Sequence, residues 1–197
     1  MGQGGISYDD ALAEAQRRGY AEADPSADVD GTDAAYKLAI LASLAFHTSV
    51  HPDNVYREGI TGLRPRDFQY AADLGYVIRL LATAERRDGG LDLRVYPTLL
   101  SQHDPLARVD GVLNAVAIEG DLLGRAIFEG EGAGANPTTS AVIADLLDVV
   151  HALAAGRPPR ALPPADPDPC FHPLTDLRMR YYLRVLTRDR PGVLAEI

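Results

Sequence analysis

The stretch running from Gly19 to Lys37, GYAEADPSADVDGTDAAYK, decides how the rest of the chain is read. It gathers Glu22, Asp24, Asp28, Asp30 and Asp33 into a segment broken by Pro25 and Gly31, then enters a nearly apolar helix beginning near Asp33. Of the 19 lysine and arginine residues in the 197, one is lysine, and it is Lys37. Arginine stays protonated in proteins, whereas burial and neighbours can tune an ammonium until it gives up its proton. Asp33 and Lys37 are four apart, so on a helix they share a face one turn from each other. That spacing suits a carboxylate that orients an ammonium proton donor. It equally suits an ordinary surface ion pair, which is common on solvated helices. The acidic cluster itself calls for a cation. Calcium fits poorly, because Asp28-Val29-Asp30-Gly31 lacks the alternating ligands and closing glutamate of an EF-hand loop. The ammonium group of a small substrate is the other candidate.

Bulk properties narrow the classes. The length allows one sizeable core with a little left over. A net charge of −9 argues against a general nucleic-acid binder, which needs a basic face. The one cysteine, Cys170, forms no internal disulfide, and the usage leans toward the cytosol. No apolar run is expected to span a bilayer, and the N-terminus lacks the charged-then-apolar pattern of a signal peptide.

Outward from the acidic stretch, Ile6 to Arg18 reads as an amphipathic helix capped by Ser7. The run after Asp33 to His47 is apolar apart from Lys37, which predicts a buried helix. A lysine there either snorkels out of the core or is held in a site. His47 and His51 are four apart, but Pro52 follows at once and no third ligand is evident, so they read as helix-end residues. Asn54 to Leu63 is strand-prone, and Arg64 to Leu74 reads as a helix stopped by Gly75 with Pro65 near its start. Strands are predicted over Tyr76 to Glu85, Leu91 to Leu100 and Val112 to Glu119, with Arg125 to Glu129 extended again. Arg87-Asp88-Gly89-Gly90 is a hairpin turn, Asp104 to Val109 a short helix or turn, and Val77 to Thr83 apolar enough for a central strand. The sum is α+β: one mixed β-sheet covered by helices.

A second informative stretch is Gly130 to Ser140, GEGAGANPTTS. Its glycines let the backbone approach a ligand closely. Asn136 as a cap and Pro137 as first residue then start a helix, whose outward amides favour an anion such as a pyrophosphate. A plain loop leading into a well-capped helix fits the same residues. Val142 to Ala155 continues the helix to Gly156. Residues 157–173 form a proline-rich, semi-rigid linker in which Cys170 and His172 make no metal site by themselves. Tyr181 to Leu186 is strand-like, and Thr187 to Ile197 turns toward a helix.

Gly19, Tyr20, Glu22, Asp24, Pro25, Asp28, Gly31, Asp33 and Lys37 together resemble the signature of the homoserine dehydrogenase family. Gly130, Gly132, Ala133, Gly134, Pro137, Thr138 and Ser140 resemble the segment that closes over the cofactor in that family; Glu131 stands where proline is frequent. The resemblance implies NAD(P)-dependent interconversion of L-aspartate 4-semialdehyde and L-homoserine, on the route to threonine and methionine. It implies Lys37 as proton donor, Asp33 as its orienting partner, and Glu22 and Asp28 at the substrate ammonium. It further implies Gly130, Gly132, Ala133, Gly134 and Thr138 at NADP or NAD, no metal, and a cytoplasmic homodimer. On this resemblance residues 1–134 are a catalytic and dimerisation domain, 135–156 a helix returning to a dinucleotide-binding domain, 157–180 a linker, and 181–197 the opening of an ACT-like (ferredoxin-like) regulatory domain. No strand with a Gly-x-Gly-x-x-Gly turn occurs in these residues, so a dinucleotide-binding domain is expected upstream, and the chain alone is expected to be inactive. Two other functions fit the residues: a non-catalytic amino-acid-binding module, and a related NAD(P)-dependent amino acid dehydrogenase with another substrate.

Overall fold

A two-residue turn and two long strands build the centre of the molecule. Asp88 and Gly89 both take positive φ, 44° and 81°, the mirror-image turn whose twist matches paired strands. The computed structural model describes residues 8–17, 24–132, 134–156, 169–173, 175 and 179–187. The elements are α1 (Tyr8–Arg17), α2 (Ser26–Val29), α3 (Thr32–Phe46), β1 (Tyr56–Arg57), α4 (Pro65–Asp73), β2 (Tyr76–Arg87), β3 (Gly90–Ser101), β4 (Leu113–Gly120), β5 (Gly124–Glu131) and α5 (Ala135–Ala154). Short 3-10 turns lie at Pro52–Asn54 and Pro105–Arg108. Ser7 and residues 188–197 lie outside the described residues.

The hairpin β2–β3 runs in register from Tyr76↔Ser101 to Arg87↔Gly90, and β1 pairs parallel to β3 at Tyr56↔Arg94. The sheet is therefore mixed, in the order β1-β3-β2, and helices cover it, as an α+β chain requires. β3, not the apolar Val77 to Thr83 stretch of β2, is the central strand. Its charges disguised it: Asp92 and Arg94 are buried and lie 3.5 Å apart, and Arg94 also comes within 3.9 Å of Glu85. On the opposite face Leu91, Leu93 and Val95 pack with Ala35, Leu38 and Ala42 of α3 and with Val55. Phe171 bridges Leu91 in parallel, so residues 170–172 of the expected linker lie along the β3 edge.

The expectation of one sheet is corrected: β4 and β5 form a separate two-stranded sheet, from Leu113↔Glu131 to Gly120↔Gly124. Arg125 of β5 joins it to the rest through its two terminal guanidinium nitrogens, each donating to a carboxylate oxygen of Asp104 at 3.0 Å. Asp104 also accepts from the Leu106 amide at 2.8 Å. The hydrogen bonds from Arg125 hold the Asp104 carboxyl below the usual carboxylate range. A depressed carboxylate pKa stabilises the fold above the unfolded value and loses that contribution as pH falls through the folded value. The β4–β5 hairpin is thus expected to loosen below about pH 4. Hydrogen exchange across that range checks it, and Arg125→Gln is expected to remove the acid step.

α3 is not wholly buried. Ala35, Leu38, Ala39 and Ala42 face the sheet, while Tyr36, Ile40, Leu41 and Leu44 are exposed. High apolar content hid this two-sidedness, because both faces carry apolar residues. α5 buries none of its residues and exposes Val142, Ile143, Leu146 and Leu153. Its length and apolar composition are those of a helix that packs against another surface as much as of one that crosses a membrane.

Candidate active site

The acidic stretch is held from both sides before it reaches Lys37. Asp24 accepts from the Ser26 amide at 3.1 Å, and Asp30 from the Thr32 amide at 2.8 Å. These bonds satisfy amides that a helix start leaves without partners. Hydrogen bonds from Ser26 and Thr32 respectively hold both carboxyls below their ordinary values. Gly31 separates α2 from α3 at φ +82°, and a Cβ there would meet Val95 Cγ1 at 2.9 Å. Gly59 closes the other side: a Cβ there would lie 2.4 Å from the Val29 carbonyl oxygen, and the Ile60 amide donates to that oxygen at 2.9 Å. Arg57 donates to Thr32 Oγ1 at 3.0 Å, placing a guanidinium beside Asp30.

Lys37 Nζ lies 2.6 Å from Asp33 Oδ2. The lysine side chain is 67% exposed and the aspartate 45%, so burial does not distinguish this pair. Its surroundings do. It sits among Tyr36, Ile40, Leu41 and Leu44 on the uncovered apolar face of α3, an exposed apolar patch of the kind that marks an interaction or binding surface. Asp28 is exposed on α2 and has no partner among the described residues. The five-carboxylate cluster therefore resolves by task. Asp24 and Asp30 bind backbone amides, Asp33 binds Lys37, and Asp28 is available; Glu22 lies outside the described residues. Among those residues no group of three potential ligands is arranged to hold a metal. His47 ends α3 at φ 53°, and His51 accepts from the Asp53 amide at 3.3 Å, so the two do not share a helical face.

The glycine stretch leads from β5 into α5. Gly130 has open space around it, while a Cβ on Gly132 would lie 2.3 Å from Asn114 Nδ2. The helix starts earlier than the Asn-Pro pattern predicts: Gly134, at φ 116°, takes the cap position, and Asn136 and Pro137 lie in the first turn. Proline is tolerated there because first-turn amides have no intrahelical acceptor. Thr138 donates its amide to Gly134 O at 3.2 Å and is exposed; Ala133 lies outside the described residues. No side chain caps this helix. A tight backbone turn with uncapped amides is compatible in shape and charge with a phosphate-bearing cofactor, although the exposed Glu131 carboxylate disfavours a phosphate at its own position. No local pattern marks Arg57, whose partner Thr32 lies 25 residues away, whereas the Asp30-Gly31-Thr32 turn is a local capping signal within the acidic cluster.

The homoserine dehydrogenase family model matches residues 1–147, and the chain belongs to that family. It is similar to the homoserine dehydrogenase of Pseudomonas aeruginosa, 46% identical over 202 residues that cover all of this chain and 46% of that one. The Mycobacterium tuberculosis homoserine dehydrogenase is 47% identical over 208 residues, again covering 46% of its length. Among solved structures, a homoserine dehydrogenase from Thiobacillus denitrificans superposes with a TM-score of 0.85 at 42% identity, covering 100% of this chain and 46% of the other. A hyperthermophilic archaeal homoserine dehydrogenase in complex with NADPH superposes with a TM-score of 0.57 at 35% identity, covering 75% and 41%. The chain spans about half the length of the curated relatives it matches.

Proposed function

We propose that this chain is the substrate-side half of a homoserine dehydrogenase, which interconverts L-aspartate 4-semialdehyde and L-homoserine on the route to threonine and methionine. The observation that carries the reading is the Asp33–Lys37 pair, 2.6 Å apart on the uncovered apolar face of α3. Lys37 gives a proton to the aldehyde oxygen as hydride arrives at the carbon, and takes it back in the oxidative direction. Asp33 holds the ammonium in one place. Asp28, with Glu22, receives the amino group of the substrate. Covering Tyr36, Ile40 and Leu44 excludes water and strengthens the attraction between the Lys37 ammonium and a developing alkoxide.

Gly130, Gly132, Ala133, Gly134 and Thr138 would hold NADP or NAD. The hydride is the chemistry supplied there. The solved neighbour that carries NADPH supports this assignment, as does the cramped, uncapped turn at Gly132 and Gly134. We assign the exposed apolar residues of α5, and Phe128 of β5, to contact with the rest of the protein and a second subunit, not to lipid or nucleic acid, in a cytoplasmic homodimer. Residues 181–197 are assigned to the opening of an ACT-like domain.

The test joins this chain to the preceding half of the Pseudomonas aeruginosa relative. Reduction of NADP or NAD is expected with L-homoserine, and at a much lower rate with L-serine or with 4-hydroxybutyrate, which lacks the ammonium. Equal rates with and without the ammonium would remove Asp28 and Glu22 from the reading. A monomeric mass by light scattering would count against the dimer.

A further inference from the structure

The apolar run Val77 to Thr83 of β2 is broken by one charge, Arg79. A charge in such a strand needs a partner. Alternate residues of a strand take opposite faces, so Arg79 points away from the side on which Leu80 and Ala84 pack toward α3. On the other face it grips a turn. Its Nη2 donates to Ala107 O and to Asp110 Oδ1, each at 2.7 Å, and Ala107 is 6% exposed. Nε of the same side chain is buried and meets no partner among the described residues, so the hold is made at the guanidinium tip.

The turn it grips is the one that Asp104 opens, and the β4–β5 hairpin grows from its far end. Asp110 O accepts from the amide of Leu113, the first residue of β4, at 3.3 Å. The register fixes what lies beside it: Leu113 opposes Glu131, and Asn114 opposes Gly130. Gly132, next along, sits so close to Asn114 that a Cβ there would collide with its side-chain amide. At the other end Arg125 opposes Glu119, one pair from the tip at Gly120↔Gly124. Two arginines therefore tie the two ends of the hairpin to one turn. Arg125 ties the tip to Asp104, and Arg79 holds Asp110 at the end from which the glycine stretch leaves.

We infer that Arg79 is a positioning residue for the cofactor: through Asp110 and Asn114 it sets where Gly130 to Gly132 stand relative to the sheet on which α3 and Lys37 are mounted. The inference rests on the dehydrogenase reading, which puts the cofactor at that stretch. The path is short. Asp110 O bonds the first amide of β4, and one cross-strand pair then separates Asn114 from Gly130. Its firm point is the ion pair, because a hydrogen bond between charged groups is stronger than one between neutral groups. Hydride transfer needs the donor and acceptor carbons held close and aligned, so a small displacement imposed from a distance is felt in the reaction. Arg79 touches neither substrate nor cofactor; it holds the backbone that does.

The joined protein and its Arg79→Met, Arg79→Lys and Asp110→Asn variants are compared by steady-state kinetics and by hydrogen exchange. Arg79→Met is expected to raise the KM for NADP about tenfold and to leave that for L-homoserine within about twofold, because the glycine stretch shifts and α3 does not. Exchange of the Leu113 amide rises with it, while the amides of Leu91 to Val95 in β3 stay protected. Arg79→Lys keeps the charge without the planar fork and is expected to fall between. Asp110→Asn leaves Arg79 its bond to Ala107 O, which spares the fold, and is expected to raise the KM for NADP about threefold. Equal rises in both KM values would mean general loosening and would overturn the positioning role. Raised Leu113 exchange with an unchanged KM for NADP would overturn it too. Unchanged exchange in both Arg79→Met and Asp110→Asn would overturn the hold itself. A joined protein that is silent before any substitution would instead remove the dehydrogenase reading, and the cofactor role of Arg79 with it.

Discussion

Lys37→Arg is expected to lower the rate of homoserine-driven NADP reduction by the joined protein about a thousandfold, with little change in KM. The substitution keeps the positive charge and a reach to Asp33, which Lys37 contacts at 2.6 Å. Substrate binding, which on this account rests on Asp28 and Glu22, stays intact. What is lost is the exchangeable proton, because a guanidinium does not release one at any pH the protein survives. Asp33→Asn is expected to cost less, since the ammonium remains and only its positioning suffers. A Lys37→Arg enzyme that keeps its rate would show that charge alone is needed there.

Gly31→Ala is expected to cost the chain about 3 kcal/mol of stability, read by urea unfolding. Two effects add. The residue sits at φ +82°, where an L side chain is strained by about 1–2 kcal/mol. Its Cβ would then stand 2.9 Å from Val95 Cγ1. Val95 is 0% exposed, at the centre of the core, and has nowhere to move. Gly75→Ala separates the effects, because Gly75 has the same φ of +82° with nothing within 4 Å. That variant is expected to show the conformational part alone. A cost for Gly31→Ala no larger than for Gly75→Ala would mean that the contact with Val95 yields easily. Because Gly31 joins α2 to α3, a shift there also moves Asp28 relative to Asp33 and Lys37.

Local signals made much of this fold legible. Strand-prone, apolar stretches and the Asp88-Gly89 turn placed β2 and β3 within about two residues of their limits. Pro65 and Gly75 bracketed α4 for reasons confined to single residues. The differences have two causes: some depend on partners distant in sequence, and others on which side chain or amide a nearby polar residue meets. The apolar Val77 to Thr83 stretch pointed to β2 as the central strand, whereas β3 takes that place with Asp92 and Arg94 buried 3.5 Å apart and Glu85 of β2 within 3.9 Å of Arg94. The exposed face of α3 looked buried because composition does not reveal which apolar residues find a neighbour. Asp30, one of the carboxylates of the acidic cluster, is taken up by the Thr32 amide two residues on. Arg79 and Asp110 are 31 residues apart, and no pattern in either stretch names the other. In the candidate site, the Asp33–Lys37 pair was legible because helix geometry alone brings the two together.

The most direct measurement is NADPH oxidation by the joined protein on addition of L-aspartate 4-semialdehyde. Oxidation that depends on the aldehyde and yields L-homoserine is expected. A joined protein that folds and binds the aldehyde, yet oxidises no NADPH, would contradict it and leave an amino-acid-binding module in its place.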